Sequence, residues 1–240
     1  MSLRHQMRAL GRRELPAELT VRGRLFRLEN VFKHGFLAAV GVYAAGEDRI
    51  VLKCHREAPF LLLPTAWAGS LMARYEAAAL ARVQGIPGVA RLVGPHGRTG
   101  ILREFVPGHL LTRGAKVADA FFPQLLELLD AIHRRGLAYV DLEKPGNVVV
   151  GGDGRPYLID FQVAFHVPDR FLGGTTLARA VRSWLQKSDL YHARKHWRRV
   201  RPDQLTDEQV AHSRLKPWPV RLGNRLLTPV KKLRRRLMGR

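Results

Sequence analysis

A single cysteine, Cys54, is the only thiol in the 240-residue chain. An intrachain disulfide is therefore impossible, and a cysteine-based zinc site is excluded. Acidic residues are scarce as well, 20 against 41 Lys and Arg, which leaves a formal charge of +21. Such an excess calls for an anionic partner: nucleotide phosphates, nucleic acid or an anionic membrane surface. No uninterrupted apolar run approaches the roughly 18 residues that a spanning helix needs. Residues 1–16 are basic and lack the apolar stretch of a secretory signal, so a cytoplasmic protein is expected. Internal repeats are missing, and so is the Walker phosphate-loop motif, which removes that route to a nucleotide.

What remains is ordinary for a folded chain: 46% hydrophobic and 25% charged residues. The length suits one domain of two lobes or two small domains. The charge is concentrated at one end. Residues 191–240 hold 15 Lys/Arg and 3 Asp/Glu, a net of +12, and the other 190 residues carry only +9.

Roughly the first 110 residues read as strands. Val21–Leu28, Gly35–Tyr43 and Arg49–Cys54 are short β-rich runs between turn residues. A helix is predicted over Ser70–Gln84, closed by Gly85 and Pro87, and two further strands over Ala90–Val93 and Gly100–Phe105. The second half is mainly helical. Val117–Arg135 places Phe121, Leu125, Leu128, Leu129 and Ile132 on one face, with Gly136 as a stop. Asn147–Val150 and Tyr157–Ile159 read as two short strands joined by a turn at Gly151–Gly154.

Four features carry chemistry. Ile50-Val51-Leu52-Lys53 ends an apolar strand in a cation, with Val51 and Lys53 on one face by alternation. Glu76 sits inside an Ala/Leu-rich helix, where a carboxylate is either a surface group or the partner of a buried cation. Asp141, Lys144 and Asn147 share one short loop ahead of a strand. Asp160 follows the next strand, so Asp141, Asn147 and Asp160 supply oxygen donors suited to Mg²⁺. Taken singly, each also suits a turn, a cap or a solvated edge.

In this order the four features resemble the protein-kinase-like superfamily, with its strand lysine, helix glutamate, catalytic-loop Asp…Asn and DFG-type aspartate. The resemblance runs from Val21 to Val167. The short chain and reduced second half are similar to small atypical members, the RIO-like kinases and the bacterial Kdo and heptose kinases of lipopolysaccharide core assembly. The resemblance implies an α+β, two-lobed kinase-like fold that binds ATP and Mg²⁺. Lys53, held by Glu76, would pair the α/β-phosphates, and Val51 would line the cleft. The backbone from Glu104 to Val106 would meet adenine. Asp141 would take the acceptor hydroxyl's proton, Lys144 would neutralise the moving phosphoryl, and Asn147 and Asp160 would hold the metal.

The chain also departs from the family pattern. The glycine-rich loop is reduced to Gly35 and Gly41, with Lys33 or His34 as compensating charges. Tyr139-Val140 replaces His-Arg before Asp141, Asn147 falls one residue later than usual, and DFG becomes Asp160-Phe161-Gln162. No Ala-Pro-Glu segment follows. His192 and His196 lie four apart, but Lys195 stands between them and no carboxylate completes a metal set, so a solvated basic helix is expected there. Residues 217–240 alternate leucines with Arg and Lys at helical spacing, a pattern suited to an anionic membrane or to packing on the second lobe. Nucleic acid is the least favoured partner, because no recognisable binding module is present.

The resulting division is a basic extension at 1–20, a β-rich lobe at 21–106, a compact helical lobe at 107–212 and a basic amphipathic segment at 213–240. The expected activity is transfer of the ATP γ-phosphoryl group to a hydroxyl, on a sugar or lipid at the inner membrane face. The alternatives are a RIO-like Ser/Thr kinase and an ATP-binding pseudokinase.

Overall fold

A six-stranded sheet in the order β1-β2-β3-β4-β6-β5 forms the first of two structural units. The computed structural model describes residues 5, 7–60, 63–167 and 175–214. The strands are β1 (Glu18–Val21), β2 (Arg24–His34), β3 (Ala38–Ala45), β4 (Asp48–His55), β5 (Leu92–His96) and β6 (Gly100–Glu104). All the pairings are antiparallel. Arg22 and Gly23, both at positive φ, close the β1–β2 hairpin, the two-residue turn whose twist matches the flanking strands. The single run expected at Val21–Leu28 is thus the end of one strand and the start of another.

Strand β4 shows why the alternation was informative. Ile50, Leu52 and Cys54 enter a core with Leu10, Leu15, Leu19, Phe26, Tyr43 and Leu102. Val51, Lys53 and His55 are buried on the opposite face. Residues ahead of the sheet are part of its core: Ala9 is fully buried, and its carbonyl accepts the N–H groups of Glu57 and Ala58. Helix α1 (Ala66–Arg82) starts four residues before the expected position and buries Ala73, Glu76, Ala79 and Leu80.

The second unit contains α2 (Phe121–Arg134), α3 (Thr176–Val200) and α4 (Asp207–Arg214), together with the short strand β8 (Val148–Gly151) and most of β7 (Gly108–Leu110), while β9 (Pro156–Leu158) begins in this unit and ends in the first. Helix α2 buries Phe121, Phe122, Leu125, Leu128, Leu129 and Ile132, the expected stripe, and Gly136 follows at a φ of 74°. Phe122 stacks on Trp197 of α3, with ring centroids 5.6 Å apart. Helix α3 is capped by the Thr175 hydroxyl, which accepts the Ala178 N–H. Its His192 and His196 are both buried, which corrects the expected solvated face. Their rings join the packed side of the helix, and exposed cations such as Lys187, Arg194 and Arg199 occupy other positions. No helix among the described residues is long and apolar enough to cross a membrane. The basic segment at 217–240 lies outside the described residues.

Candidate active site

Two clusters of charged side chains hold the expected residues, one in each unit. In the first, Lys53 reaches both Glu76 and Asp160. Its Nζ donates to Glu76 Oε1 at 3.0 Å and to Asp160 Oδ1 at 2.7 Å. Strand β4 supplies the lysine and α1 the glutamate. Asp160 arrives from far along the chain on a segment fixed to the same unit by the Leu158 N–H, which donates to the Gly88 carbonyl. Glu76 is 1% exposed and Lys53 is 6% exposed, whereas the Asp160 side chain is 33% exposed. A buried ammonium needs such compensation, since an unpaired charge there would cost several kcal/mol or about that. The trio carries one positive and two negative formal charges, an excess that suits a bound cation at the exposed carboxylate.

His55 was missed by the sequence reading. It is fully buried, and its Nε2 lies 3.0 Å from Glu76 Oε2. Its position two residues after Lys53, on the same face of β4, was the available signal.

The residues expected to meet the nucleotide base lie on β4 and at the end of β6. Val51 is buried on the lysine face. The Glu104 N–H is used by the Arg91 carbonyl and the Phe105 N–H by Arg49, while no backbone bond among the described residues engages the Val106 N–H. Glu104 itself pairs with Arg91 at 3.5 Å. Phe105 stacks with the exposed Phe32 at 6.4 Å between centroids, giving the segment from Glu104 to Val106 an aromatic border.

The reduced glycine loop needs correction. Gly41 lies within β3, where a Cβ would come within 2.8 Å of the Leu15 side chain and 3.0 Å of that of Leu28, so it packs against the core rather than in a turn. Gly35 does sit in the β2–β3 turn, with its N–H bonded to Ala38 and its carbonyl to the Ala9 N–H. The next carbonyl, of Phe36, accepts from Arg56, whose guanidinium lies 4.1 Å from the Phe36 ring centroid. The turn is therefore tied down on two sides. Lys33 is exposed, but His34 is engaged by Arg8 at 3.2 Å. Burial first, then the Arg8 charge, hold the His34 pKa below its usual value.

In the second unit, Asp141 begins a short 3-10 turn, Asp141–Glu143. Its Oδ2 accepts Lys144 Nζ at 2.6 Å and Asn147 Nδ2 at 2.8 Å, and its carbonyl also accepts Asn147 Nδ2 at 3.0 Å. Both acceptors require the amide nitrogen of Asn147 to face Asp141, so its oxygen is the atom available as a metal donor.

Asp189, from α3, holds this loop, and the sequence reading did not assign it a role. Its carboxylate accepts the Tyr139 and Val140 N–H groups, each at 2.8 Å, and His133 Nε2 at 3.0 Å. Val140 has a φ of 71°, a strained conformation for a β-branched residue. His196 of the same helix donates to the Leu142 carbonyl at 2.7 Å. Asp189 is the only acid in a 25-residue helix otherwise rich in cations, and that isolation was the signal to read.

No family model matches the chain, and no curated protein does. Solved structures do match. The Rio2 kinase of Chaetomium thermophilum, as its ADP/Mg²⁺-phosphoaspartate complex, aligns with a TM-score of 0.54 at 16% identity, over 75% of this chain and 57% of that one. A second crystal structure of that kinase gives 0.53 at 16% identity, over 72% and 58%. The fold is protein-kinase-like. This chain spans a little over half the length of those kinases. Within the kinase-like fold, the unit with the curled sheet holds Lys53, Glu76 and Asp160, and the helical unit holds Asp141, Lys144 and Asn147.

Proposed function

We propose that the chain is a Mg·ATP-dependent phosphotransferase acting on a hydroxyl, with a membrane-associated sugar or lipid as acceptor. The observation that carries this reading is the meeting of Lys53 with Glu76 and Asp160, residues 23 and 107 positions away in sequence. Lys53 orients the nucleotide phosphates and Glu76 keeps the ammonium in place. The Val106 N–H binds the base beside Phe105, and Val51 forms the apolar floor. Lys33 and Gly35 stand at the phosphate end. In the sheet unit Asp160 would supply an oxygen donor for Mg²⁺, an ion that neutralises phosphate charge when bound, and in the helical unit the Asn147 oxygen is a candidate donor of the same kind. Asp141 receives the acceptor's proton on a carboxylate already oriented by Asn147, and Lys144 beside it balances the charge of the phosphoryl group.

The acceptor class rests on the basic, leucine-containing sequence at 217–240, a pattern suited to an anionic membrane. That tail would hold the enzyme on the inner membrane face. The solved relatives favour a second reading, a RIO-like protein kinase. Incubating the purified chain with Mg²⁺ and γ-labelled ATP tests both, with detergent-solubilised lipopolysaccharide precursors or a protein mixture as acceptor. Label in the glycolipid supports the proposal, and label on serine or threonine supports the second reading. Nucleotide binding without transfer to any acceptor leaves an ATP-binding pseudokinase.

A further inference from the structure

Three large apolar side chains stand in solvent where α1 begins. Leu63, Trp67 and Leu71 are 66%, 67% and 60% exposed and recur every four residues. Trp67 and Leu71 are one turn apart and share a stripe of the helix. This stripe is distinct from the buried one, which includes Ala73, Glu76 and Leu80. The sequence leading into it, residues 59–67, has no charged side chain. The charged residues of α1 are Arg74, Glu76 and Arg82, and the sole acid among them is buried against Lys53. On the helix itself, the exposed charge beside the stripe is therefore the cation Arg74.

That charge pattern selects the occupant. A second copy of the chain would bring a net +21 toward Arg74. Residues 221–240 would bring eight cations and no acid. Both meet the helix with like charge. Leucine and tryptophan next to arginine instead form the composition of an element lying at a lipid headgroup boundary, where the indole suits the interface and the cation suits anionic lipid. We propose that Leu63 and the first turns of α1 lie on an anionic bilayer, with Leu63, Trp67 and Leu71 inserted at the headgroup level. Lipid contact here goes beyond the phosphotransferase reading and holds whether or not the chain transfers phosphate. It would place the helix that carries Glu76 against the membrane.

The test is an environment-sensitive label at Leu71→Cys in the full chain. Cys54 does not compete for it, because it is buried and desolvation pushes its thiol up to about 12. With phosphatidylcholine–phosphatidylglycerol vesicles, the emission should shift to the blue and intensify. The shift should weaken with added salt and be small with phosphatidylcholine alone. In unlabelled protein, Leu63→Ser with Trp67→Ser should reduce vesicle partitioning about tenfold or more, with an unchanged circular dichroism spectrum. Vesicle binding with no change at the label would overturn the proposal and assign lipid contact to another basic surface. No vesicle binding at all would also overturn it. So would a shift that grows with protein concentration in the absence of lipid, which would identify a second copy as the occupant.

Discussion

Lys53, Glu76 and Asp160 are far apart in sequence, whereas Asp141 and Asn147 are six residues apart, and the two clusters are held in different ways. The first is joined side chain to side chain, with a strand, a helix and a tethered segment each delivering one charged group. Regular structure does the positioning, and burial strengthens the attraction between the charges. The second is local, so only a short loop has to be folded back to bring its members together. What needs support there is the backbone, which passes through a left-handed Val140. Asp189 and His196 provide that support from α3, with hydrogen bonds to the loop's main chain. The difference teaches that sequence proximity does not make a site easier to build, because strain in the loop replaces the cost of bringing distant residues together.

The largest effect should come from removing the loop's anchor. Asp189→Ala leaves two backbone N–H groups and His133 without their acceptor in a buried place, and should cost about 3–5 kcal/mol. The shift in urea midpoint measures it. A loss below about 1 kcal/mol would mean the loop holds itself. Asp141→Asn separates chemistry from anchoring. Turnover should fall by about 10²–10⁴, while ATP affinity and the unfolding midpoint change little, as read from kcat and a nucleotide titration. An equal loss in turnover and affinity would place Asp141 in binding instead.

The smallest effect is a dependence on pH. Burial is the main cause that holds the His196 pKa below its usual 6.5; Lys195 and Arg199 lower it further, against the opposing bond to Leu142. In the unfolded chain this histidine takes up a proton near pH 6.5, but the folded chain resists protonation until a lower pH. The unfolded state therefore binds more protons between those two values, and stability falls as pH drops below about 6.5. His34 acts in the same direction. His196→Gln keeps a donor for Leu142 and should flatten part of the decline in melting temperature on acidification. An unchanged slope would mean that His196 does not contribute to it.

These contrasts also explain what the sequence could reveal. Strand alternation placed Val51 and Lys53 together because period two is a property of the backbone. The α2 stripe was legible for the same reason, since one amphipathic helix records its buried face in its own spacing. The turn at Arg22-Gly23 was missed because arginine is an uncommon residue at positive φ, so the pair lacks a strong turn signature. Gly41 was placed in the turn because a glycine packed inside a strand against Leu15 and Leu28 looks, in sequence, like any other glycine. Asp189 and the buried histidines of α3 were hidden by their basic neighbours. Their roles exist only after the helix packs against the loop 50 residues earlier in the chain.

The central claim is that Asp160, held by Lys53, is where metal-bound nucleotide engages the chain. Thermal-shift titration of the wild type and Asp160→Ala with Mg·ATP, with ATP plus chelator and with Mg²⁺ alone tests it most directly. The wild type should be stabilised by Mg·ATP well beyond either component alone, and Asp160→Ala should fold but lose nearly all of that increment. Equal Mg·ATP stabilisation of the two proteins would contradict the account and remove Asp160 from the site.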